Sequence, residues 1–175
     1  MKLLVIGSGG RCHAIVEALS RSPRAEKIYC APGNAGIATL AECVAIKDTD
    51  VEGLLAFAKE QAIDLTVVGP EASLAVGVVD RFRAEGLKIF GPTKAAAEIE
   101  SSKDFAKRLM KKYDVPTADY ATFTDFEEAM AYVRRGTLPT VLKYDGLAAG
   151  KGVVIAETME EAEAILAKIA DKNIR

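Results

Sequence analysis

The sequence has few of the residues on which disulfide-rich, zinc-binding and histidine-dependent proteins are built. Its three cysteines, Cys12, Cys30 and Cys43, are odd in number and scattered, and no two of them are spaced as C-x-x-C. This pattern argues against a disulfide framework and against a zinc site. His13 is the single histidine. Because no acidic or nucleophilic partner accompanies it, we interpret it as a local hydrogen-bonding residue, with a phosphate contact as the alternative.

The sequence also lacks an excess of positive charge and a long apolar run. Its net charge is −2, with 23 Lys and Arg against 25 Asp and Glu, which argues against a nucleic-acid-binding surface. No apolar run approaches the roughly 20 residues that a membrane-spanning helix needs. The chain starts with a strand pattern, MKLLVIG, instead of a signal peptide. We therefore expect a cytoplasmic protein that binds neither nucleic acid nor membranes.

Apolar residues, by contrast, are plentiful and make up 50% of the 175 residues. That content is enough for the core of one large or two small domains. Apolar runs alternate with amphipathic segments over residues 1–92, and a single helix is predicted after the fourth run. The predicted strands are residues 3–6, 28–31, 44–46, 65–68 and 88–90. This alternation predicts an α/β fold with an open parallel sheet.

Glycine-bearing loops follow the first, second and fourth predicted strands, at residues 7–10, 32–36 and 69–71. Ligands of open parallel sheets bind beyond the carboxyl ends of the strands, so these loops are expected to face one crevice. A dinucleotide site is disfavoured there. The third glycine position of the dinucleotide fingerprint is Cys12, and no Asp or Glu ends the second strand.

A smaller phosphate suits this crevice better. The backbone N–H groups of residues 8–11 open a predicted helix, so they and the Arg11 guanidinium are candidates to hold it. Asn34 and Glu71 are candidates to bond hydroxyl groups or an amine. The alternatives are structural, with Asn34 in a turn and Glu71 at the cap of the following helix.

Residues 93–117 are predicted to form two helices, and Ser102 is predicted to cap the second. Lys103 then lies in the first helical turn, where a cation is unfavourable unless an anion is near. It is therefore a candidate phosphate contact, with a solvated lysine as the alternative. Residues 120–123 are predicted as a strand. Three further helices are predicted to open with capping boxes, at Thr49, Thr124 and Thr158.

The most distinctive stretch is residues 139–155, PTVLKYDGLAAGKGVVI. Two predicted strands are joined there by a loop, 145–152, that is long for a hairpin and poor in large side chains. Such a loop suits backbone N–H groups lying over a polyphosphate, with Lys143 and Lys151 supplying positive charge. Its glycine spacing, and Gly152 in place of Ser or Thr, separate it from the phosphate loop of the common nucleotidases. The alternative is a flexible hairpin with solvated lysines.

Five segments resemble, in the same order, the glycinamide ribonucleotide synthetases, which are the phosphoribosylamine–glycine ligases of purine synthesis and belong to the ATP-grasp ligases. They are VIGSGGRCHA, APGNAGIA, VVGPEASLAVGVVDRF, FGPTKAAAEIESSKDFAK and VLKYDGLAAGKGV. The resemblance implies an ADP-forming carbon–nitrogen ligase that joins glycine to 5-phosphoribosylamine through glycyl phosphate, using ATP and Mg²⁺ or Mn²⁺. Another ATP-grasp ligase or carboxylase, and a non-catalytic nucleotide-binding module, are the alternatives.

The same resemblance implies how the chain is organised. Residues 1–92 correspond to a Rossmann-like pre-ATP-grasp domain, 93–117 to a helical connector and 118–175 to a small α+β lid subdomain of the ATP-grasp. The C-terminal half of the ATP clasp, with the metal ligands and most of the glycine site, is missing from this pattern. We therefore expect no metal ligand in this chain and little or no ligase activity from it alone.

Site residues follow from the matching positions, and none of them is assigned a catalytic role. ATP would contact Lys103, Lys143, Asp145, Gly146, Leu147, Ala148, Ala149, Gly150, Lys151 and Gly152. Phosphoribosylamine would contact Ser8, Gly9, Gly10, Arg11, Asn34 and Glu71. Two positions depart from the family. Cys12 replaces the usual Glu, so any hydrogen bond of that carboxylate is lost; an unpaired buried partner is one explanation to test, and an engineered residue is the alternative. Tyr144 replaces a frequent Ala.

Overall fold

The computed structural model describes residues 1–148 and 151–171. Its internal contacts divide the chain into two compact units, Met1–Ser101 and Ser102–Arg175. The boundary between the units falls inside the predicted connector, 93–117. The first helix of the connector belongs to the first unit, and its second helix belongs to the second unit. Among the described residues, no helix has the length and apolar character needed to cross a membrane.

The first unit is an α/β structure built on a five-stranded parallel sheet with the order β3-β2-β1-β4-β5. Its strands are β1 (Lys2–Gly7), β2 (Lys27–Pro32), β3 (Glu42–Cys43), β4 (Leu65–Val68) and β5 (Ile89–Phe90). Its helices are α1 (Gly10–Ser20), α2 (Val51–Glu60), α3 (Glu71–Ala75), α4 (Val78–Ala84) and α5 (Lys94–Ser101), with a short 3-10 helix at Ile37–Thr39.

The central strand β1 is covered on both faces. Leu4 and Ile6 belong to a buried cluster with side chains of α2 and α4. Leu3 and Val5 belong to a second cluster that includes Val16 of α1. Alternate residues of β1 thus enter two different cores, which explains why this strand is a continuous apolar run in the sequence.

The strand order reverses between β1 and β4. From β1 the chain moves outward through β2 and β3, then returns to the other side of β1 with β4 and β5. At such a switch point the loops that leave the two central strands diverge and open a crevice at the carboxyl edge of the sheet. The predicted site loops at 7–10 and 69–71 are the two loops that leave β1 and β4.

The second unit is a small α+β structure. It contains α6 (Lys103–Lys112), α7 (Phe126–Arg135), β6 (Thr140–Lys143), β7 (Val153–Ala156) and α8 (Met159–Asp171). The two strands form an antiparallel hairpin in which Leu142 is opposite Val154 and Lys143 is opposite Val153. Helix α8 packs on this hairpin and on α7 around buried Val133, Ala156 and Ala162.

Some predicted elements differ from the structure. Strand β3 lies at Glu42–Cys43 instead of 44–46, because Cys30 of β2 pairs with Cys43. The single helix predicted after β4 is two helices, since Gly77 adopts φ of +88° between α3 and α4. Residues 120–123 are not a strand. In the described part of the chain the hairpin sheet consists of β6 and β7 only, and neither strand pairs with 120–123.

Helix caps were predicted with mixed success. Ser102 caps α6 as predicted, accepting from Phe105 N–H at 3.1 Å. The capping box of α8 is also confirmed, with Glu161 N–H donating to Thr158 Oγ1 at 3.2 Å. The caps of α2 and α7 are Asp50 and Asp125 instead of the preceding threonines. Aspartate is as good a cap as threonine, so adjacent Thr-Asp pairs leave the boundary ambiguous by one residue.

Candidate functional site

In the first unit, one amide side chain connects the loop after β1 to the loop after β2. Asn34 Nδ2 donates to the carbonyl oxygen of Ser8 at 2.6 Å, and Asn34 Oδ1 accepts from the backbone N–H of Ile37 at 2.9 Å. The second bond is the turn role that was the alternative for this residue. The first brings two of the predicted site loops into contact.

Arg11 connects the loop after β1 to the loop after β4. Its Nη1 donates to the carbonyl oxygen of Gly69 at 2.7 Å, and its Nη2 forms an ion pair with Glu71 Oε1 at 2.8 Å. The hydrogen bond from Arg11 is the main cause that lowers the pKa of Glu71, and the same bond raises the pKa of Arg11. Both side chains remain partly exposed, 62% for Arg11 and 39% for Glu71, so a ligand can still reach them.

Four glycines beside these loops are of two kinds. A Cβ on Gly7 or on Gly69 would lie 2.4 Å from Cys12 Sγ, and Gly7 also has φ of +124°. The packing of the fold therefore requires both of these glycines. A Cβ on Gly9 or Gly10 would meet nothing within 4 Å. The space beside the first turn of α1 is therefore open to a ligand.

Cys12 fills the space between Gly7 and Gly69. The thiol is buried, and its Sγ lies 3.7 Å from the carbonyl oxygen of Ile6. Burial is the main cause that raises its pKa, so the sulfur stays a neutral thiol with low reactivity. An unpaired buried partner of the replaced carboxylate is not found among the described side chains. Among the described residues, no buried side-chain nitrogen or oxygen lacks a partner.

In the second unit, the start of the loop 145–152 is attached to the N-terminus of α6. Asp145 Oδ1 accepts from the backbone N–H of Lys103 at 2.5 Å and from that of Asp104 at 3.2 Å. Asp145 Oδ2 accepts from Ser102 Oγ at 3.1 Å. Lys103 Nζ donates to the carbonyl oxygen of Gly146 at 2.8 Å. The predicted ATP contacts Lys103, Asp145 and Gly146 thus come together.

The other lysines of this region lie on the hairpin. Lys143 ends β6 and is exposed on the face opposite Leu142, as the alternation of the strand predicts. Lys151 N–H donates to the carbonyl oxygen of Ala148 at 2.8 Å, and Tyr144 N–H donates to that of Gly152 at 2.7 Å. These two bonds close the base of the loop. The predicted contacts Ala149 and Gly150 lie outside the described residues.

A pocket of about 440 Å³ opens between the hairpin and α8. It is lined by Leu142 and Val154 of the hairpin and by Ile165 and Ile169 of α8, and three of the predicted ATP contacts, Ala148, Lys151 and Gly152, also line it. Lys143 projects from the opposite face of β6. The predicted ATP contacts of the hairpin are thus divided, with Lys143 on one face and Ala148, Lys151 and Gly152 at the pocket.

The described residues do not suit a divalent metal ion. No group of three His, Cys, Asp or Glu side chains comes together in residues 1–148 and 151–171. Asp145, the carboxylate of the loop 145–152, already accepts hydrogen bonds from Ser102, Lys103 and Asp104. No reaction step of this chain is therefore assigned to a metal.

The contacts of Ser102 and Asp104 were missed by the sequence reasoning. Ser102 was predicted as a helix cap, but its hydrogen bond to Asp145 spans 43 positions. The sequence assigns no function to Asp104. Its backbone N–H nevertheless donates to Asp145 Oδ1, and its side chain accepts from Thr122 Oγ1 at 2.9 Å. A local pattern reports caps and turns, whereas a bond between distant segments leaves no local signal.

Comparison with known proteins identifies the family. The family model described as "Phosphoribosylglycinamide synthetase, N domain" matches residues 1–100, and "Phosphoribosylglycinamide synthetase, ATP-grasp (A) domain" matches residues 101–174. The chain belongs to the phosphoribosylglycinamide synthetase family. The phosphoribosylamine–glycine ligase of Halalkalibacterium halodurans is 57% identical over 166 residues, which cover 95% of this chain and 39% of that protein. The chain thus spans about two fifths of the length of the curated relatives it matches.

Two solved structures resemble this chain, one of them from the same family. The crystal structure of the phosphoribosylamine–glycine ligase of Thermotoga maritima matches with a TM-score of 0.74 and 32% identity, over 94% of this chain and 38% of that one. The carboxyaminoimidazole ribonucleotide synthase of Aspergillus clavatus, solved in complex with ATP, matches with a TM-score of 0.77 over 97% of this chain and 44% of that one. At 20% identity it shows the shared fold alone.

Proposed function

We propose that this chain provides the phosphoribosylamine site and the nucleotide lid of a phosphoribosylamine–glycine ligase. In this reaction a carboxylate oxygen of glycine attacks the γ-phosphorus of ATP, and ADP leaves. The amine of 5-phosphoribosylamine then attacks the carbonyl carbon of glycyl phosphate, and phosphate leaves with formation of the amide bond. Such chemistry on small polar substrates fits a cytoplasmic enzyme.

The observation that carries the proposal is the contact between Lys103 Nζ and the carbonyl oxygen of Gly146 at 2.8 Å. It brings a cation to the start of the loop 145–152, and Lys143 lies just before that loop. Phosphoryl transfer is catalysed mainly by positioning and by charge that offsets the transferred phosphoryl group. Two ammonium groups at one end of a glycine-rich loop support a role in holding the phosphates of ATP.

The first unit would hold the amine substrate. Open space beside Gly9 and Gly10 leaves the first backbone N–H groups of α1 accessible, and such groups favour a phosphate. Arg11 forms an ion pair with Glu71, which offsets part of its positive charge. In this proposal Arg11 therefore mainly holds the loops after β1 and β4 together, and it attracts the phosphate more weakly than an unpaired arginine would. Ser8, Asn34 and Glu71 would face the ribose and its amine.

Magnesium or manganese is the divalent ion expected with ATP. The described residues offer no ligand set for it, so its ligands would lie outside this part of the chain. The second unit would contribute backbone N–H groups of the loop and the ammonium groups of Lys103 and Lys143. Their role is to bind and orient phosphates and to exclude water when the loop covers them.

A chimera tests this proposal. It joins this chain to the part of the Halalkalibacterium halodurans ligase that lies beyond the matched 166 residues. We expect release of ADP that requires glycine and freshly prepared 5-phosphoribosylamine together. The joined part would supply most of the glycine site, whereas this chain is proposed to bind phosphoribosylamine. The requirement for phosphoribosylamine is therefore the result that tests this chain. ADP release that is indifferent to phosphoribosylamine, or that bicarbonate supports in place of glycine, would contradict the proposal.

A matched pair of lysine variants tests the lid. In the chimera, Lys143→Ala should lower kcat/KM for ATP by about a hundredfold, because one cation that offsets phosphoryl charge is lost. Lys111→Ala, in the last turn of α6, removes the same charge away from the loop and should leave kcat/KM unchanged. Equal effects of the two substitutions would show that only net charge matters.

A further inference from the structure

The carboxylate of Asp145 completes the N-terminal cap of a helix that is distant in sequence. Its Oδ1 accepts from the first two backbone N–H groups of α6, those of Lys103 and Asp104, and its Oδ2 accepts from Ser102 Oγ. Ser102 Oγ in turn accepts from Phe105 N–H. One side chain from the loop and one local side chain therefore satisfy the first three N–H groups of this helix, which otherwise lack partners.

This arrangement makes Asp145 a poor ligand for phosphate. Both oxygens are engaged by the helix, and a carboxylate repels the phosphates that the loop is proposed to cover. The same negative charge is favourable where it lies, because the N-terminus of a helix carries partial positive charge. Asp145 therefore has a structural reason to remain on α6 while the rest of the loop binds nucleotide.

Lys103 depends on this contact. Its backbone N–H bonds Asp145, and its Nζ bonds the carbonyl oxygen of the next loop residue, Gly146. The first residue of α6 is thus bonded through its backbone and through the end of its side chain to two consecutive loop residues. Without the Asp145 carboxylate, the bond from Nζ to Gly146 would be the only one of these contacts still joining Lys103 to the loop.

We propose that Asp145 is a positioning residue that acts through Lys103, and that it does not contact ATP. It anchors the start of the loop to α6, so that the Lys103 ammonium is held at the phosphates. This inference rests on the proposed function, because the role of Lys103 toward ATP does so.

The structural part is tested by amide hydrogen exchange of the 175-residue chain. In Asp145→Ala, the N–H groups of Lys103 and Asp104 should exchange at least about tenfold faster, since their acceptor is removed. Asp145→Asn keeps an acceptor oxygen and should restore most of the protection. Asp125→Ala is the matched control, because Asp125 caps α7 of the same unit through Glu128 N–H. It should leave exchange at 103 and 104 unchanged.

The functional part is tested by the kinetics of the chimera. Asp145→Ala should raise KM for ATP about tenfold with a smaller change in kcat, because a bound lysine is misplaced and no reacting group is lost. In a Lys103→Ala background the same substitution should cause little further change. Asp125→Ala should affect neither constant.

Three outcomes overturn the positioning role. The first is slow exchange at 103 and 104 in Asp145→Ala, and the second is unchanged KM for ATP in that variant. The third is a full additional loss in the Lys103→Ala background, which indicates a direct contact with ATP. If the unsubstituted chimera neither binds ATP nor releases ADP, the proposed function fails as well, whereas failure of the positioning role alone leaves that activity intact.

Discussion

Two pairs of glycines in the first unit differ in whether the packing around them leaves room for a side chain. Gly7 and Gly69 enclose the sulfur of Cys12, whereas a Cβ on Gly9 or Gly10 would meet nothing within 4 Å. A glycine that packing does not require, in the first turn of a helix, costs conformational entropy without a structural return. Gly10 is the first residue of α1, so we infer that it is there for close approach of a ligand, whereas Gly9 is the N-cap of that helix, where glycine is favoured for structural reasons as well.

Substitution of Gly10 separates stability from binding. Gly10→Ala should leave the first unit as stable as before or stabilise it by up to about 1 kcal/mol, because alanine favours the helix. The same substitution in the chimera should raise KM for phosphoribosylamine, since the methyl group enters the open space. Urea unfolding of the chain and steady-state kinetics of the chimera measure the two effects. Loss of stability without a change in KM would refute a ligand at this position.

Gly7→Ala is the matched comparison. Its methyl group would lie 2.4 Å from Cys12 Sγ at a φ of +124°, so we expect a loss of about 1–3 kcal/mol from overpacking. Urea unfolding measures this loss as well. A Gly7→Ala chain as stable as the original would show that Cys12 can move away from this position.

Helices α2 and α4 are joined by a network of ion pairs. Glu85, just after α4, pairs with Lys59 of α2 at 2.6 Å and with Arg81 of α4. Hydrogen bonds from Arg81 and then from Lys59 lower the pKa of Glu85 to about 2. The network links the two helices that cover Leu4 and Ile6, on the face of the sheet opposite α1.

The lowered pKa of Glu85 predicts a dependence of stability on pH. An unfolded glutamate titrates near pH 4.3, and the folded pKa is about 2. The contribution of Glu85 is therefore fully present above pH 4.3 and is lost as the pH falls toward 2. Thermal unfolding of Glu85→Gln should show a deficit at pH 7 that shrinks below pH 4, while Glu60→Gln, elsewhere on α2, should show no such trend. A deficit that is independent of pH would point to packing instead of charge.

The two units differ in how much apolar surface each buries. The sheet of the first unit separates two buried clusters, whereas the second unit has the small cluster of Val133, Ala156 and Ala162. Its hairpin leaves Val141, Val153 and Ile155 exposed. Small domains bury a smaller fraction of their surface on folding and are correspondingly less stable.

Native-state hydrogen exchange of the whole chain should reflect this difference. Amide groups of β1 should be protected by the full unfolding free energy of the first unit, and those of β6 should exchange through opening of the second unit at lower free energy. The expected order is slow exchange at Val5 and faster exchange at Leu142. Equal protection at both positions would mean that the two units unfold together.

Much of the fold was predictable from the sequence, for local reasons. The apolar run of β1 and the glycines after it predicted a buried parallel strand with a loop at its carboxyl end, and the cap at Ser102 set the start of α6. Predictions failed where two local solutions are nearly equal, and where a strand pattern has no partner in the fold. Thr124 and Asp125 are both good caps, and residues 120–123 have strand-forming side chains but no partner strand.

The sequence by itself determined most of the elements, and which loops carry glycine, lysine and polar side chains, because periodicity and capping act over a few residues. Only the tertiary structure decided which of these side chains meet. The bonds between Asn34 and Ser8, Arg11 and Glu71, and Asp145 and α6 span 26, 60 and about 42 positions. The physical reason is that such bonds form only after the sheet and the hairpin have brought distant segments together, so no local pattern encodes them.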